Sequence, residues 1–413
     1  MQIFPILLVH LIVGFKVKKL LLCSIMLFNC QQQPQSKLLD QTSRFLGTNY
    51  WFGMNLGMER GGDRERLMRE LDTLQSLGLT NLRIMASSEG PSTEPYRIVP
   101  PLQPSPGVYS EDVFVGLDFL LSEMDKRELK AVLCLNNFWH WSGGFAQYVS
   151  WAEGSAIPYP PQQASYAVFE DYSSRFYSSD LARKWYADFL KTITGRVNTV
   201  TGVPYRRDPT IFSWELANEP RGISHYDDFI NWVGESSKYL RGNVEQWVTV
   251  GSEGVTPFQP EKDVEEAHAF DAVDYMTYHI WVQNWGVYNP NSDSVNDAID
   301  FARKYTEKNL KIGNKLGKPI ILEEFGLARD GGAFDPKSGT SARDTYFATM
   351  LKELDTLVGI SFWAFAGEGK PKNTGGIWDV GDPFTGDPPH EPQGWYSVYS
   401  TDHSTLEIFK RAK

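Results

Sequence analysis

Short apolar, β-rich runs recur along the chain at Asn49–Asn55, Asn81–Met85, Ala131–Leu135, Ile211–Leu216, Gln246–Val250, Tyr275–His279, Pro319–Glu324 and Ile360–Phe365. Each is short enough to be a buried strand. Between them apolar residues repeat with a helical period. Leu67, Leu71 and Leu74 do so within Arg64–Leu77, Val113, Leu117, Leu120 and Met124 within Asp112–Arg127, and Ala298, Ala302 and Tyr305 within Val295–Leu316. Strand and helix alternate with no hairpin chemistry. A parallel strand needs a crossover to return, so eight such units predict a parallel sheet closed on itself, the (β/α)8 TIM barrel. An open doubly wound sheet is the competing architecture. Against it, no GxGxxG or GxxxxGK[ST] follows the first run, and polar residues end several strands, as the catalytic rim of a barrel requires.

Three connections exceed an ordinary loop, at 87–110, 136–179 and 366–403, and all follow a strand, which places them on the carboxyl-end face. They are rich in aromatic residues, Pro and Gly, as in NNFWHWSGGFAQYVSWAEG and GGIWDVGDPFTGDPPHEPQGWYSVY. Such loops on one rim build a cleft with aromatic walls, and the apolar C–H faces of sugar rings stack on walls of that kind. Polysaccharide is therefore favoured over small charged metabolites. The competing reading of Trp139, Trp141, Trp151 and Trp378 is that they pack the loops onto the barrel. The acids of DVGDPFTGD alternate with turn residues and read as a solvated loop rather than a Ca²⁺ site.

A chain of 413 residues with 13 Trp, 19 Tyr and 24 Phe holds ample core for one large domain. The net charge of −11 argues against a nucleic-acid partner, and the body is more acidic still once the lysines at 16, 18 and 19 are set aside. Those lysines precede the apolar run Leu20–Phe28 and then Asn29-Cys30. The order resembles a bacterial lipoprotein signal, with Cys30 as the lipidated residue and Asn29 departing from the small residue usual there. The expected organisation is a signal segment over 1–30, a linker over 31–44 and a catalytic barrel over 45–413. The protein is then exported, in the cell envelope or secreted, and meets a membrane only through its lipid. Cys134 remains as a lone thiol in a predicted strand, so no internal disulfide forms. The seven histidines show no ligand spacing, and no metal or cofactor is called for.

Two segments carry candidate chemistry. In TIFSWELANEP (210–220) a strand is expected to end in Asn218-Glu219-Pro220, and in KPIILEEFG (318–326) one is expected to end in Glu324-Phe325-Gly326. The spacing of Glu219 and Glu324 puts them three strands apart, facing each other across the mouth. Two carboxyls across a cleft are what glycoside hydrolysis needs, one to protonate the leaving oxygen and one ionised near the anomeric carbon. Strand parity points Glu323 and Glu324 to opposite sides, leaving Glu324 at the mouth. Glu215 is expected roughly 13 Å below Glu219 along the strand, as a structural charge in need of a cation.

Those two acids, with Arg83 in NLRIM, His279 in TYHIW and Trp363 in SFWAF, resemble family 5 of the glycoside hydrolases in clan A. TNYWFGMN (48–55), LNNFWHWSGG (135–144) and GDPFTGDPPHEPQGWYSVY (381–399) are similar to the endo-β-1,4-mannanase branch. The likeness spans about residues 45–411. It implies a retaining mechanism on β-mannan, with Glu219 as acid/base and Glu324 as nucleophile. Arg83 would hold Glu324 ionised, and apolar surroundings would raise Glu219. Asn218 would bind the 2-hydroxyl in subsite −1, Trp363 would floor that subsite, and His279 would hydrogen-bond near the acid/base. Asn137 and Trp139 of the strand-three loop join the substrate-binding set, and the chain is read as a monomer. One departure stands out, because the Tyr that commonly touches the nucleophile is replaced by Trp281. A β-1,4-glucanase of the same family and a non-catalytic glycan-binding lipoprotein remain the alternatives.

Overall fold

The computed structural model describes residues 44–292, 294–353 and 357–412. The expected signal segment, its Cys30 and the linker up to residue 43 lie outside them. Among the described residues eight strands form one parallel sheet: β1 Phe45–Asn49, β2 Asn81–Met85, β3 Lys130–Cys134, β4 Ile211–Glu215, β5 Trp247–Thr249, β6 Met276–Ile280, β7 Ile320–Phe325 and β8 Gly359–Phe362. The order β5-β4-β3-β2-β1-β8-β7-β6 wraps the sheet until β5 and β6 face each other. That seam is closed by Asp274 N–H to Val248 O at 2.8 Å, Thr249 Oγ1–H to Tyr275 O at 2.9 Å and His279 N–H to Glu253 O at 3.0 Å. The architecture is the predicted (β/α)8 barrel.

Helices form where the apolar period recurs. In Arg64–Ser76 the Asp63 carboxylate accepts from Arg66 N–H at 2.9 Å, capping the first turn, while Leu67, Leu71 and Leu74 are buried against the barrel. The helix Val295–Leu316 ends where Gly317 takes a left-handed conformation, φ 65°. The first expected strand is displaced. β1 lies at Phe45–Asn49, and Gly53–Leu56 is a short helix. Tyr50, Trp51 and Phe52 mimic a strand in the sequence because they are buried, but they pack a loop onto the mouth. The connection 136–179 is likewise not irregular, since it contains helices Gly144–Glu153 and Tyr166–Ser174.

The two ends of the barrel differ in chemistry. At the amino end Tyr275, Ile321 and Val358 are sealed by Phe45, Phe212 and Trp247, with Phe45 and Phe212 edge to face at 5.6 Å. At the carboxyl end the interior is charged, and the cleft opens there.

Candidate active site

Arg83 on β2 is the centre of the charged layer and is 4% exposed. Its Nε and Nη2 donate to Glu215 at 2.8 and 2.6 Å, Nη2 also to Asn218 Oδ1 at 2.8 Å, and Nη1 to Asn49 Oδ1 at 3.1 Å and to Glu324. One fork thus holds Glu324, the partner expected for Arg83, and supplies the cation that Glu215 was expected to need. Glu215 therefore does not sit far below the mouth. β4 ends at Glu215, and the chain through Glu219 is clamped instead by neighbouring strands, with Asn218 N–H to Asn136 O and Glu219 N–H to Gly251 O both at 2.8 Å. Glu219 itself has φ 51°, a left-handed value costly for a non-glycine residue and held here by those bonds. Gly251 permits the close approach, because a Cβ there would lie 2.0 Å from Ala217 O.

The Glu219 carboxylate accepts from Trp139 Nε1–H at 2.6 Å and lies 2.6 Å from His279 Nδ1. Glu324 receives Arg83 on one oxygen and Trp281 Nε1–H at 3.2 Å on the other, which lies 3.4 Å from His279 Nδ1. The indole of Trp281 thus makes a contact with Glu324 of the kind that the resemblance gives to the missing Tyr. Glu219, His279 and Glu324 each offer one atom, all within 4.8 Å of one another. That proximity would suit a cation, but Arg83 and His279 already supply positive charge there and Nδ1 is committed to the carboxyls, so the set fits acid/base work better than metal ligation.

The electrostatics depart from expectation. Burial pushes His279 down, but the charge of Glu324, the hydrogen bond of Glu219 and the nearby Glu323 carboxyl outweigh it and raise the imidazole to about 10. Burial raises Glu219, yet the hydrogen bond and charge of His279, the charge of Arg221 and the Trp139 bond together hold it below the ordinary carboxylate range. Burial pushes Glu324 up; His279 and Arg83 oppose it, and Glu219 adds to it. The sequence reading anticipated the reverse order. Arg83 is shared with Glu215, so less of its charge acts on Glu324, and the expected hydrogen bond of His279 near the acid/base falls on Glu219 itself and holds that carboxyl down.

Glu219, Glu324, Asn218, Trp139, Trp281 and Trp363 all line one cleft of about 570 Å³. Trp363 is edge to face with Trp281 at 5.9 Å. Three expected site residues stand behind this wall. Arg83 and His279 reach the acids from inside the barrel, and Asn137 is fully buried, its Oδ1 accepting from Asn218 Nδ2–H at 3.1 Å and Trp139 N–H at 3.0 Å. Asn137 is a strut under Asn218 rather than part of the cleft surface. The structure adds residues that the sequence reading passed over. Arg221 lies over Trp139 at 4.9 Å and is paired with Glu253 at 2.5 Å and Glu170 at 2.7 Å, while His390, Glu391 and Trp395 close the side formed by the strand-eight loop. Arg221 directly follows Asn218-Glu219-Pro220, a position that could have flagged it. The strand-eight loop is also less solvated than expected, since the Asp387 carboxylate is buried and accepts from Gly394 N–H at 2.7 Å and Tyr396 N–H at 2.6 Å.

Residues 32–413 match the family described as GH family 5 beta-mannosidase-like. The putative mannan endo-1,4-beta-mannosidase 9 of Oryza sativa subsp. japonica is 33% identical over 333 residues, 77% of this chain and 73% of its own. The crystal structure of the glycoside hydrolase family 5 mannosidase from Rhizomucor miehei is 40% identical, with a TM-score of 0.83 over 89% of this chain and 92% of that one. A variant of the same Rhizomucor protein, solved in complex with mannosyl-fructose, is 39% identical at the same TM-score of 0.83 and the same coverage, 89% and 92%.

Proposed function

The chain belongs to glycoside hydrolase family 5, and from that premise we propose that this glycosidase cleaves β-1,4-mannosidic bonds with retention of configuration. The observation that carries the proposal is the carboxyl geometry. Oxygens of Glu219 and Glu324 approach within 4.8 Å, close to the separation of about 5–5.5 Å that a double displacement needs and too near for a water between them. Glu324 attacks the anomeric carbon, its free oxygen steadied by Trp281. Glu219 protonates the leaving oxygen and later takes the proton of the attacking water. His279 stores that proton in the resting site, handing it to Glu219 along the 2.6 Å contact as negative charge grows on the leaving oxygen. Asn218 faces the sugar from a position fixed by Arg83 and Asn137, and Trp363 underlies it.

Mannan is favoured because the named relatives are mannosidases and mannan endo-mannosidases, and because aromatic walls suit sugar faces. Internal cleavage is the reading that the sequence supports. A second reading, cleavage of short chains from an end, is favoured by the turn Pro388–Glu391, whose half-buried Glu391 lines the cleft with one carboxyl oxygen unpartnered, free to meet the hydroxyls of a terminal sugar. Reducing-sugar release from mannan, glucomannan, carboxymethylcellulose and xylan tests the substrate class, and equal activity on carboxymethylcellulose and mannan would refute it. The early products of mannohexaose decide between the readings: tri- and tetrasaccharide together mark internal cleavage, and mannose with mannopentaose marks an end.

A further inference from the structure

β7 does not alternate regularly at its mouth. Along the β6–β7 ladder Leu322 stands opposite Tyr278 and Glu324 opposite His279, so Glu323 is an extra residue, a bulge. The parity expectation fails for that reason, and the Glu323 carboxylate turns into the barrel beside that of Glu324. Its Oε2 lies 3.8 Å from Arg83 Nε and 3.8 Å from His279 Nε2. Glu323 is 2% exposed, and neither of its oxygens nor His279 Nε2 has a hydrogen-bond partner. A buried carboxyl facing a buried ring nitrogen across this gap is one small adjustment from a charge-assisted bond, and leaving both unmade is costly. Nothing in the proposed chemistry yet uses it.

We propose that Glu323 is a positioning residue that holds the Nε2–H of His279, so that the ring exchanges only the Nδ1 proton it shares with Glu219. The inference rests on Glu219 acting as acid/base. Once Glu219 has taken the Nδ1 proton it is a neutral acid, and the nitrogen that still faces a carboxylate, Nε2 opposite Glu323, keeps its proton, which fixes the tautomer of the neutral ring. With Nε2–H held, neutral His279 presents an Nδ1 lone pair to Glu219 and takes the proton back after each turnover. The groups facing Glu323 are Arg83 from β2, Glu215 from β4, Tyr275 and His279 from the β6 segment and Glu324 from β7, while Asn49 from β1 donates to its carbonyl at 2.8 Å. Burial, then the charge of Glu215, pushes Glu323 up to about 7 against His279 and Arg83, so its charge is established as pH rises through neutrality.

The test compares wild type with Glu323→Gln and Glu323→Asp, using ¹⁵N-histidine NMR with the His279 signals assigned through His279→Gln. In wild type Nε2 stays protonated through the titration. Glu323→Gln lowers the His279 pKa by about one unit or more, because a neighbouring negative charge is gone. The basic limb of kcat/KM on mannooligosaccharides moves down with it, with KM unchanged, while dinitrophenyl β-mannoside, whose leaving group needs no proton, still loads the enzyme at the wild-type rate. Glu323→Asp recovers part of the shift. An unmoved His279 titration in folded Glu323→Gln overturns the proposal, as does an equal loss on both substrates without a pH shift, which marks a merely structural role. Should Glu323→Gln not fold, Glu323→Asp decides by the presence or absence of an intermediate shift. Absence of β-mannoside hydrolysis by the wild type would refute the proposed function alone, and the NMR titration would still decide the role of Glu323.

Discussion

Nδ1 of His279 lies 2.6 Å from Oε1 of Glu219, inside the barrel and behind the cleft wall. The contact joins the imidazole to the carboxyl that, in the proposed mechanism, is an acid in one step and a base in the next. It makes the resting proton a property of the pair rather than of Glu219 alone.

Arg83→Ala removes the cation that Glu215 and Glu324 share, leaving Glu215, which is 0% exposed, without its partner. Breaking a buried pair in this way costs about 3–5 kcal/mol. Chemical denaturation of the variant should show that loss, together with loss of turnover. Stability within about 1 kcal/mol of wild type would show that Arg83 does not hold the charged layer.

Trp281→Phe keeps the ring and deletes the 3.2 Å bond to Glu324. A hydrogen bond to a charged group contributes about 1.5–3 kcal/mol, so kcat should fall by about 10- to 100-fold. KM should change little. An unchanged kcat would return the role of the missing Tyr to another residue.

Burial depresses His268 to about 4 and His390 to about 3, so both stay neutral in the fold well below the pH at which an unfolded chain protonates them. The unfolded state binds more protons there, and stability falls as pH drops below about 6.5, by about 1.4 kcal/mol per pH unit per group. Thermal unfolding at pH 7 and pH 4.5 should show the drop, and it should be smaller in His268→Gln. An equal drop in that variant would place the acid sensitivity elsewhere.

The barrel was legible because its strands are short apolar runs between periodic helices, and β2 and the helix Val295–Leu316 fall at the residues read from the pattern. β1 was not, because Tyr50, Trp51 and Phe52 owe their apolar character to loop packing over the mouth. The juxtaposition of Glu219 and Glu324 followed from their spacing along a parallel barrel. The inward turn of Glu323 did not, since a bulge leaves no mark on hydrophobic periodicity. Arg221 and Glu391 escaped notice for a related reason: a charged residue on a loop looks solvated until its surroundings are known, here Glu253 beside the buried Arg221 and the cleft wall around the half-buried Glu391.

If the leader is cleaved and acylated as the sequence suggests, Cys30→Ala should accumulate as an unprocessed or soluble form. Detergent partitioning and membrane fractionation check this. Identical fractionation of variant and wild type would remove the lipid anchor from the account.

The central claim is a covalent intermediate on Glu324, and trapping it is the most direct measurement. A 2-deoxy-2-fluoro-mannosyl fluoride carries a good leaving group and a substituent that slows the second step, so it should accumulate on the nucleophile. Peptide mass spectrometry of the inactivated protein should find one fluorosugar on the peptide containing Glu324, and Glu324→Ala should take up none. A label on Glu219, or no label together with an α-configured first product by NMR, would contradict the assignment of Glu324 as nucleophile and of the enzyme as retaining.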